Sequence, residues 1–276
     1  MKRLFTTLTL AFTLGMPAQL LAAGEISYAG SISIGTGILE AGAAKAFEKK
    51  TGIRFTKIDN AGSGKGIKEL QAGKVTLAGL GRPIKPEEKK AKLSAVTIGY
   101  DAIAVFVHKS NPLKNISKEQ LKGILTNKVT SWKELGGKNA PIAASTEKLS
   151  GEKRGAVEMV QKLILNGADY GKAMKEFGSP RDQLIDLARN ENGICTVSLG
   201  ILSSLDAGTR SKIKTLFVQD YPPTSQNIQS GSYAISVPLQ LVTRGLAKDE
   251  GKEFIKFILS AEGQAIVGKN FVSVRK

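Results

Sequence analysis

The sequence predicts an α/β fold in two lobes, on three observations. The first half alternates strand-like and helix-like segments in the order β-α-β-α-β. Two long runs of alternating apolar residues, Ala95–His108 and Ser232–Thr243, stand far apart in the chain. About 250 residues follow an N-terminal leader, more than the ~100–150 of one common domain, so two cores are expected.

Glu25–Ala29 reads as a short strand, and Thr36–Thr51 as a helix with Ile38, Leu39, Ala43, Ala46 and Phe47 at helical spacing and Gly52 as its stop. Ile53–Ile58 alternates apolar and polar residues and is the second strand. Gly66–Ala72 is a short helix ended by Gly73, and Val75–Leu80 the third strand. This order implies a parallel sheet with functional loops at the C-terminal edge of its strands. Ala95–His108, with Gly99 and Asp101 near its middle, and Ser232–Thr243 suit crossovers between lobes, which gives a discontinuous first lobe of 24–102 and 236–276 and a second lobe of 103–235. Between the crossovers, Ser117–Leu125 and Val129–Leu135 form a small helical region with the sole Trp, Trp132, and Ala140–Ala144 is a strand. Gly151–Asn166 is amphipathic, with Ala156, Val157, Val160, Leu163 and Ile164 on one face and Ser150 as its cap. Pro180–Asn190 reads as a helix, Ile194–Ser198 as a strand, and Ala247–Leu259 with Ala261–Val267 as a closing helix pair.

The leader itself has a secretory layout: Met1-Lys2-Arg3, a largely apolar run from Leu4 to Met16, Pro17, then Leu21-Ala22-Ala23-Gly24. Residues 1–23 are read as a signal peptide cleaved after Ala22 or Ala23. The run is short of the ~20 residues a spanning helix needs, and no Cys marks a lipid-attachment site. A soluble periplasmic or secreted protein is expected.

The formal charge of +16 falls to +14 once Lys2 and Arg3 leave with the leader. An anionic ligand fits this balance better than a cationic one. Nucleic acid is not the expected partner, because an exported chain seldom meets it and the Lys residues are scattered along helices. One Cys, Cys195, cannot form an intramolecular disulfide and reads as a small core residue. One His, His108, gives no metal cluster, and no Gly-x-Ser-x-Gly elbow accompanies it, so no metal, cofactor or hydrolytic chemistry is expected.

The region with most chemical content is Tyr28–Glu88. Turns at 29–35 (AGSISIG), 61–66 (AGSGKG) and 79–88 (GLGRPIKPEE) each precede a helix. Helix starts carry unpaired N–H donors and the positive end of the macrodipole, so three of them can converge on one phosphate-like anion.

The succession of GSISIG (30–35), AGSGKGIKELQAG (61–73), GRPIKPEE (81–88), the block from Tyr100 to Leu135, LSGEKRGAVE (149–158) and GICTVSLGI (193–201) resembles the periplasmic phosphate-binding proteins of phosphate ABC transporters. The resemblance implies a monomeric, two-lobed Venus-flytrap protein, each lobe a mixed sheet flanked by helices and the two joined by hinge strands. Such a protein closes on phosphate or a related oxyanion and presents it to an inner-membrane permease; it is not an enzyme. It places ligand contacts on Ser33 and Ile34 of the first turn and Ser63 of the second, with Ser31 and Gly64 as further donors. Arg82 is either a cleft ligand or a surface residue capping the loop before Pro83.

Two departures matter. Many relatives carry Ser-Arg-Pro or an Asp in the third turn, where this chain has Gly81-Arg82-Pro83; Gly81 cannot be the carboxylate that accepts a proton from the ligand, and Asp101 is a substitute candidate, against a hinge-surface or turn Asp. In the second lobe, Ser150 and Gly151 match the family pattern, but its Arg is replaced by Ser145 or Thr146 and its Thr by Glu152. Glu152 is either a helix-dipole partner or a carboxylate in the anion's place. The second possibility leaves open a sensory or scaffolding protein of the same fold with a different ligand or none.

Overall fold

A computed structural model describes residues 24–150 and 155–274. Among the described residues no helix is long and apolar enough to cross a membrane.

The first lobe is built on β1 (Glu25–Gly30), β2 (Arg54–Asp59) and β3 (Leu77–Leu80), with β1 parallel to both neighbours. α1 (Ile32–Ile34) leads through a π-helical stretch, Gly35–Ala43, into α2 (Ala44–Thr51). The single helix predicted over Thr36–Thr51 is therefore kinked. Gly42 at φ 135° breaks its dihedrals, a conformation that glycine alone enters without strain. Gly52 ends α2 in the left-handed region. α3 (Ser63–Gln71) returns the chain to β3, and α4 (Pro86–Lys90) follows the third turn.

β4 (Leu93–His108) is the crossover. Nine of its first ten positions pair antiparallel with β10 (Ser236–Arg244), from Leu93 opposite Arg244 to Ala102 opposite Ser236, with Ile98 skipped at a register shift. From Ile103 opposite Ser198 onward it pairs instead with β8 (Gly193–Ser198) and β9 (Ile213–Val218). Beside β8 lie β6 (Ala143–Glu147) and β7 (Lys175–Phe177), both parallel to it, and the short β5 (Asn115–Ile116) pairs with β9. The second lobe carries α5 (Lys118–Leu125), a 3-10 turn at Trp132–Leu135, α6 (Gly155–Leu163), α7 (Pro180–Leu187), a 3-10 turn at Leu199–Ser204, α8 (Ala207–Arg210) and α9 (Ser225–Gln229). α10 (Asp249–Leu259), α11 (Ala261–Val267) and β11 (Val272–Ser273) return to the first lobe, where β11 pairs with β4.

The second long strand is shorter than its alternation suggests. It starts at Ser236, because 231–235 form a turn in which Tyr233 and Ile235 are buried as core anchors: the Tyr233 hydroxyl donates to Ile103 O at 3.1 Å, and Ile103 N–H to Ile235 O at 3.0 Å.

Each lobe has its own core. In the first, Phe47 and Phe55 meet Phe254 edge-on at 5.2 and 4.8 Å, among Ile26, Ile34 and Ile38. In the second, Trp132 packs with Leu121, Ile124 and Val160, its indole N–H donating to Asn192 O at 3.0 Å. Cys195 is fully buried, as its apolar context predicts. At the start of α5, Gln120 N–H donates to Ser117 Oγ and Ser117 N–H to the Gln120 side chain, a capping box. Ser117→Ala is expected to cost about 1 kcal/mol, read as a lower urea midpoint at unchanged slope.

Candidate anion site

The turn after β1 is fixed by backbone approach. Ser31 N–H donates to Gly79 O at 2.9 Å, and the Tyr28 hydroxyl to Ser31 O at 2.7 Å. A Cβ on Gly30, at φ 156°, would stand 2.3 Å from Gly79 O. The second turn docks as closely: Gly62 N–H donates to Gly30 O, and a Cβ on Gly66 would sit 2.4 Å from Ala29 O, so α3 lies flush on β1. These glycines bring the starts of α1 and α3 side by side.

Between the lobes they open onto a cavity of about 40 Å³. At ~10–15 Å³ per water this is room for about three waters, or one small solute. From the first lobe Ser31, Ser33, Gly62, Ser63 and Gly81 line it; from the crossover and second lobe come Asp101, Glu147, Gly155, Pro180 and Ser198. Among the described residues no Lys, Arg or His lines it. Backbone N–H groups and helix starts are therefore the groups that can offer an anion positive charge there.

Asp101 is 3% exposed and joins the two lobes. Its Oδ2 accepts Ser33 Oγ at 3.1 Å and, in a short hydrogen bond, Ser198 Oγ. Burial pushes its carboxyl up to about 6, against the hydrogen bonds from Ser198 and Ser33, which favour the charged form. Ser63, 1% exposed, accepts Gly81 N–H at 3.1 Å. A Cβ on Gly81 would lie 2.9 Å from Ser31 Oγ, so Ser31 fills the room a longer third-turn side chain would need.

Of the residues singled out in the sequence, Ser31, Ser33 and Ser63 come together at the cavity. Ile34 sends its side chain into the first-lobe core, which leaves its N–H as the group it can offer a ligand. Gly64, half-buried, lies outside the lining. Arg82 neither points into the cavity nor lies at the surface: it is buried, Nη1 and Nη2 donate to Glu88 at 2.9 and 2.7 Å, and Nε pairs with Glu158 at 2.8 Å. Ser150 also stays outside and exposed, because Lys148 N–H bonds Phe177 O and Leu149 N–H bonds Glu176, holding that segment along β7. Gly151 and Glu152 lie outside the described residues. Sequence reading missed Ser198 and Glu147, both polar residues at the C-terminal ends of strands in the second lobe, where the strand-edge rule would have pointed.

The profile of the PBP superfamily domain matches residues 17–262. The phosphate-binding protein PstS of Staphylococcus aureus strain USA300 is 30% identical over 226 residues, covering 77% of this chain and 68% of that protein. PstS of Staphylococcus epidermidis strain RP62A is 28% identical over 231 residues, covering 78% and 69%. Among solved structures, a phosphate-bound substrate-binding protein assigned to a phosphate ABC transporter in Clostridium perfringens matches at TM-score 0.81 and 32% identity, covering 91% of this chain and all of that one. An ABC-type phosphate transport receptor from Vibrio cholerae shares the fold at TM-score 0.74 and 24% identity, covering 91% and 100%. The chain therefore belongs to the PBP superfamily and, within it, to the PstS family.

Proposed function

We propose that this protein is the substrate-binding component of an ABC importer and captures phosphate, with one proton retained, in the cavity between its lobes. The observation that carries this is the meeting of Ser31, Ser33 and Ser63 at two helix starts with the buried carboxylate of Asp101. Hydroxyls and N–H groups serve the anionic oxygens. Asp101 takes the ligand's remaining hydrogen, the role that Gly81 cannot fill. The lobes divide at 102/103 and 235/236, and the leader is removed on export to the periplasm. The protein acts as a monomer, delivers phosphate to an inner-membrane permease, and binds without turnover.

Calorimetry on the mature protein should show saturable phosphate binding. Ser33→Ala is expected to weaken it by roughly three- to tenfold, the value of one hydrogen bond. Ser63→Ala is expected to cost more, since it also strands Gly81 N–H. Absence of heat with phosphate, phosphonate, sulfate and molybdate alike would overturn the assignment. That outcome would favour a sensory or scaffolding role, which the two acidic side chains lining the cavity, Asp101 and Glu147, make the second reading.

A further inference from the structure

Arg82 is buried to 3% exposure away from the ligand cavity, and its surroundings divide by lobe. On its own lobe it is fixed in advance: its fork grips Glu88, and Glu88 Oε2 also accepts Lys85 N–H at 2.8 Å at the start of α4. Burial alone would raise the Glu88 carboxyl, yet the hydrogen bonds from Arg82 and the Lys85 N–H, with the nearby positive charges, hold it below the usual carboxylate range. Arg82, Lys85 and Glu88 thus form a first-lobe cluster with one positive charge in excess. Its counter-charge comes from the second lobe. Glu158 on α6 places Oε2 2.8 Å from Arg82 Nε and Oε1 3.1 Å from Lys85 Nζ.

Three residues before Glu158, at the described start of α6, a Cβ on Gly155 would meet Gly81 O and Ser63 Oγ, both at 3.0 Å. Less than one helical turn separates the contact that seals the cavity from the ion pairs. Any movement that draws α6 off the cavity also pulls Glu158 from Arg82, which cannot follow because Glu88 holds its fork.

We propose that Arg82, Lys85 and Glu158 form a cross-lobe ion latch that stabilises the closed state and sets how fast a captured oxyanion escapes. They are positioning residues that touch no ligand. The inference rests on the proposed capture of an oxyanion by lobe closure. Charge pairs made after the lobes meet act on release more than on encounter. The Arg82 pair is the stronger element, since the Lys85 side chain is 42% exposed and screened.

Glu158→Gln keeps size and helix propensity and tests the latch. Stopped-flow release of inorganic phosphate from the mature protein should speed up roughly three- to tenfold at unchanged association rate and unchanged ligand-free melting temperature. Raising salt from about 0.05 to about 0.5 M should accelerate release from the unmodified protein and leave the variant unaffected. Small-angle scattering without phosphate should show the variant more open. Equal release rates and equal scattering would overturn the latch. If the unmodified protein binds no phosphate, the proposed ligand fails, while ligand-free scattering of the two proteins still decides the latch. Lys85→Gln provides the second variant should Glu158→Gln fold poorly, with a smaller shift in the same direction.

Discussion

Replacing Asp101 with Asn is expected to admit sulfate, shrinking the preference for phosphate over sulfate by on the order of 10- to 100-fold. An ionised Asp101 is an acceptor only, and its Oδ2 already receives Ser33 and Ser198. A ligand oxygen that faces it must carry hydrogen. Phosphate keeps a proton at neutral pH; sulfate does not, and would set acceptor against acceptor in a buried site. The Asn amide is of nearly the same shape and supplies N–H. Competition calorimetry near neutral pH reads the ratio, and unchanged selectivity would remove Asp101 from the site.

The same residue makes a signed prediction about pH. Its folded value of about 6 stands above the ordinary 3.8, because burial disfavours the charged form. A group raised on folding contributes stability that is complete below its unfolded value and lost as pH climbs through its folded one. Asp101 therefore helps most below about pH 4 and its help is gone above about pH 6. The difference in unfolding free energy between Asp101→Asn and the unmodified protein should move in the variant's favour by about 2–3 kcal/mol across that window. Sulfate binding by the unmodified protein should rise as pH falls below about 6, while the variant's stays flat.

How much of this was legible depended on where the controlling contacts lie. β1, β3, α3 and β8 fall close to their predicted positions because alternation, helical spacing and stop glycines are local signals. The convergence of Ser31, Ser33 and Ser63 was legible for the same reason: each sits in a glycine turn before a helix. Alternation misled at Ser232–Ile235, where Tyr233 and Ile235 are apolar because they plug the junction between lobes, not because they pair in a sheet. Arg82 was ambiguous because its partner Glu158 is 76 residues away on a helix of the other lobe. Asp101 carried no local mark of burial; Ser198 and Gly200, which enclose it, come from the far side of the crossover. Local chemistry thus revealed the first-lobe side of the candidate site, and the residues proposed to set its specificity and closure arrive by tertiary packing.

Gly155→Val is expected to leave both lobes folded while weakening phosphate binding by on the order of 100-fold. The Cβ alone would stand 3.0 Å from Gly81 O and 3.0 Å from Ser63 Oγ, and the Val methyls reach further. Neither neighbour can retreat cheaply: one is backbone beside the pinned Arg82, and the other holds Gly81 N–H. Overpacking of this kind costs about 1–3 kcal/mol, and the loss of full closure adds to it by loosening the Arg82–Glu158 pair. In an open molecule the same side chain meets solvent, and replacing Gly in a helix gains roughly 0.5–1 kcal/mol for Ala and less for Val. Affinity should therefore fall in the order Gly, Ala, Val, while ligand-free stability should be lowest for Gly. A general packing defect would lower both quantities together, so the opposed trends isolate closure. Equal affinity in all three proteins, measured by calorimetry beside thermal melts without ligand, would mean that α6 need not approach Ser63 for the anion to be held.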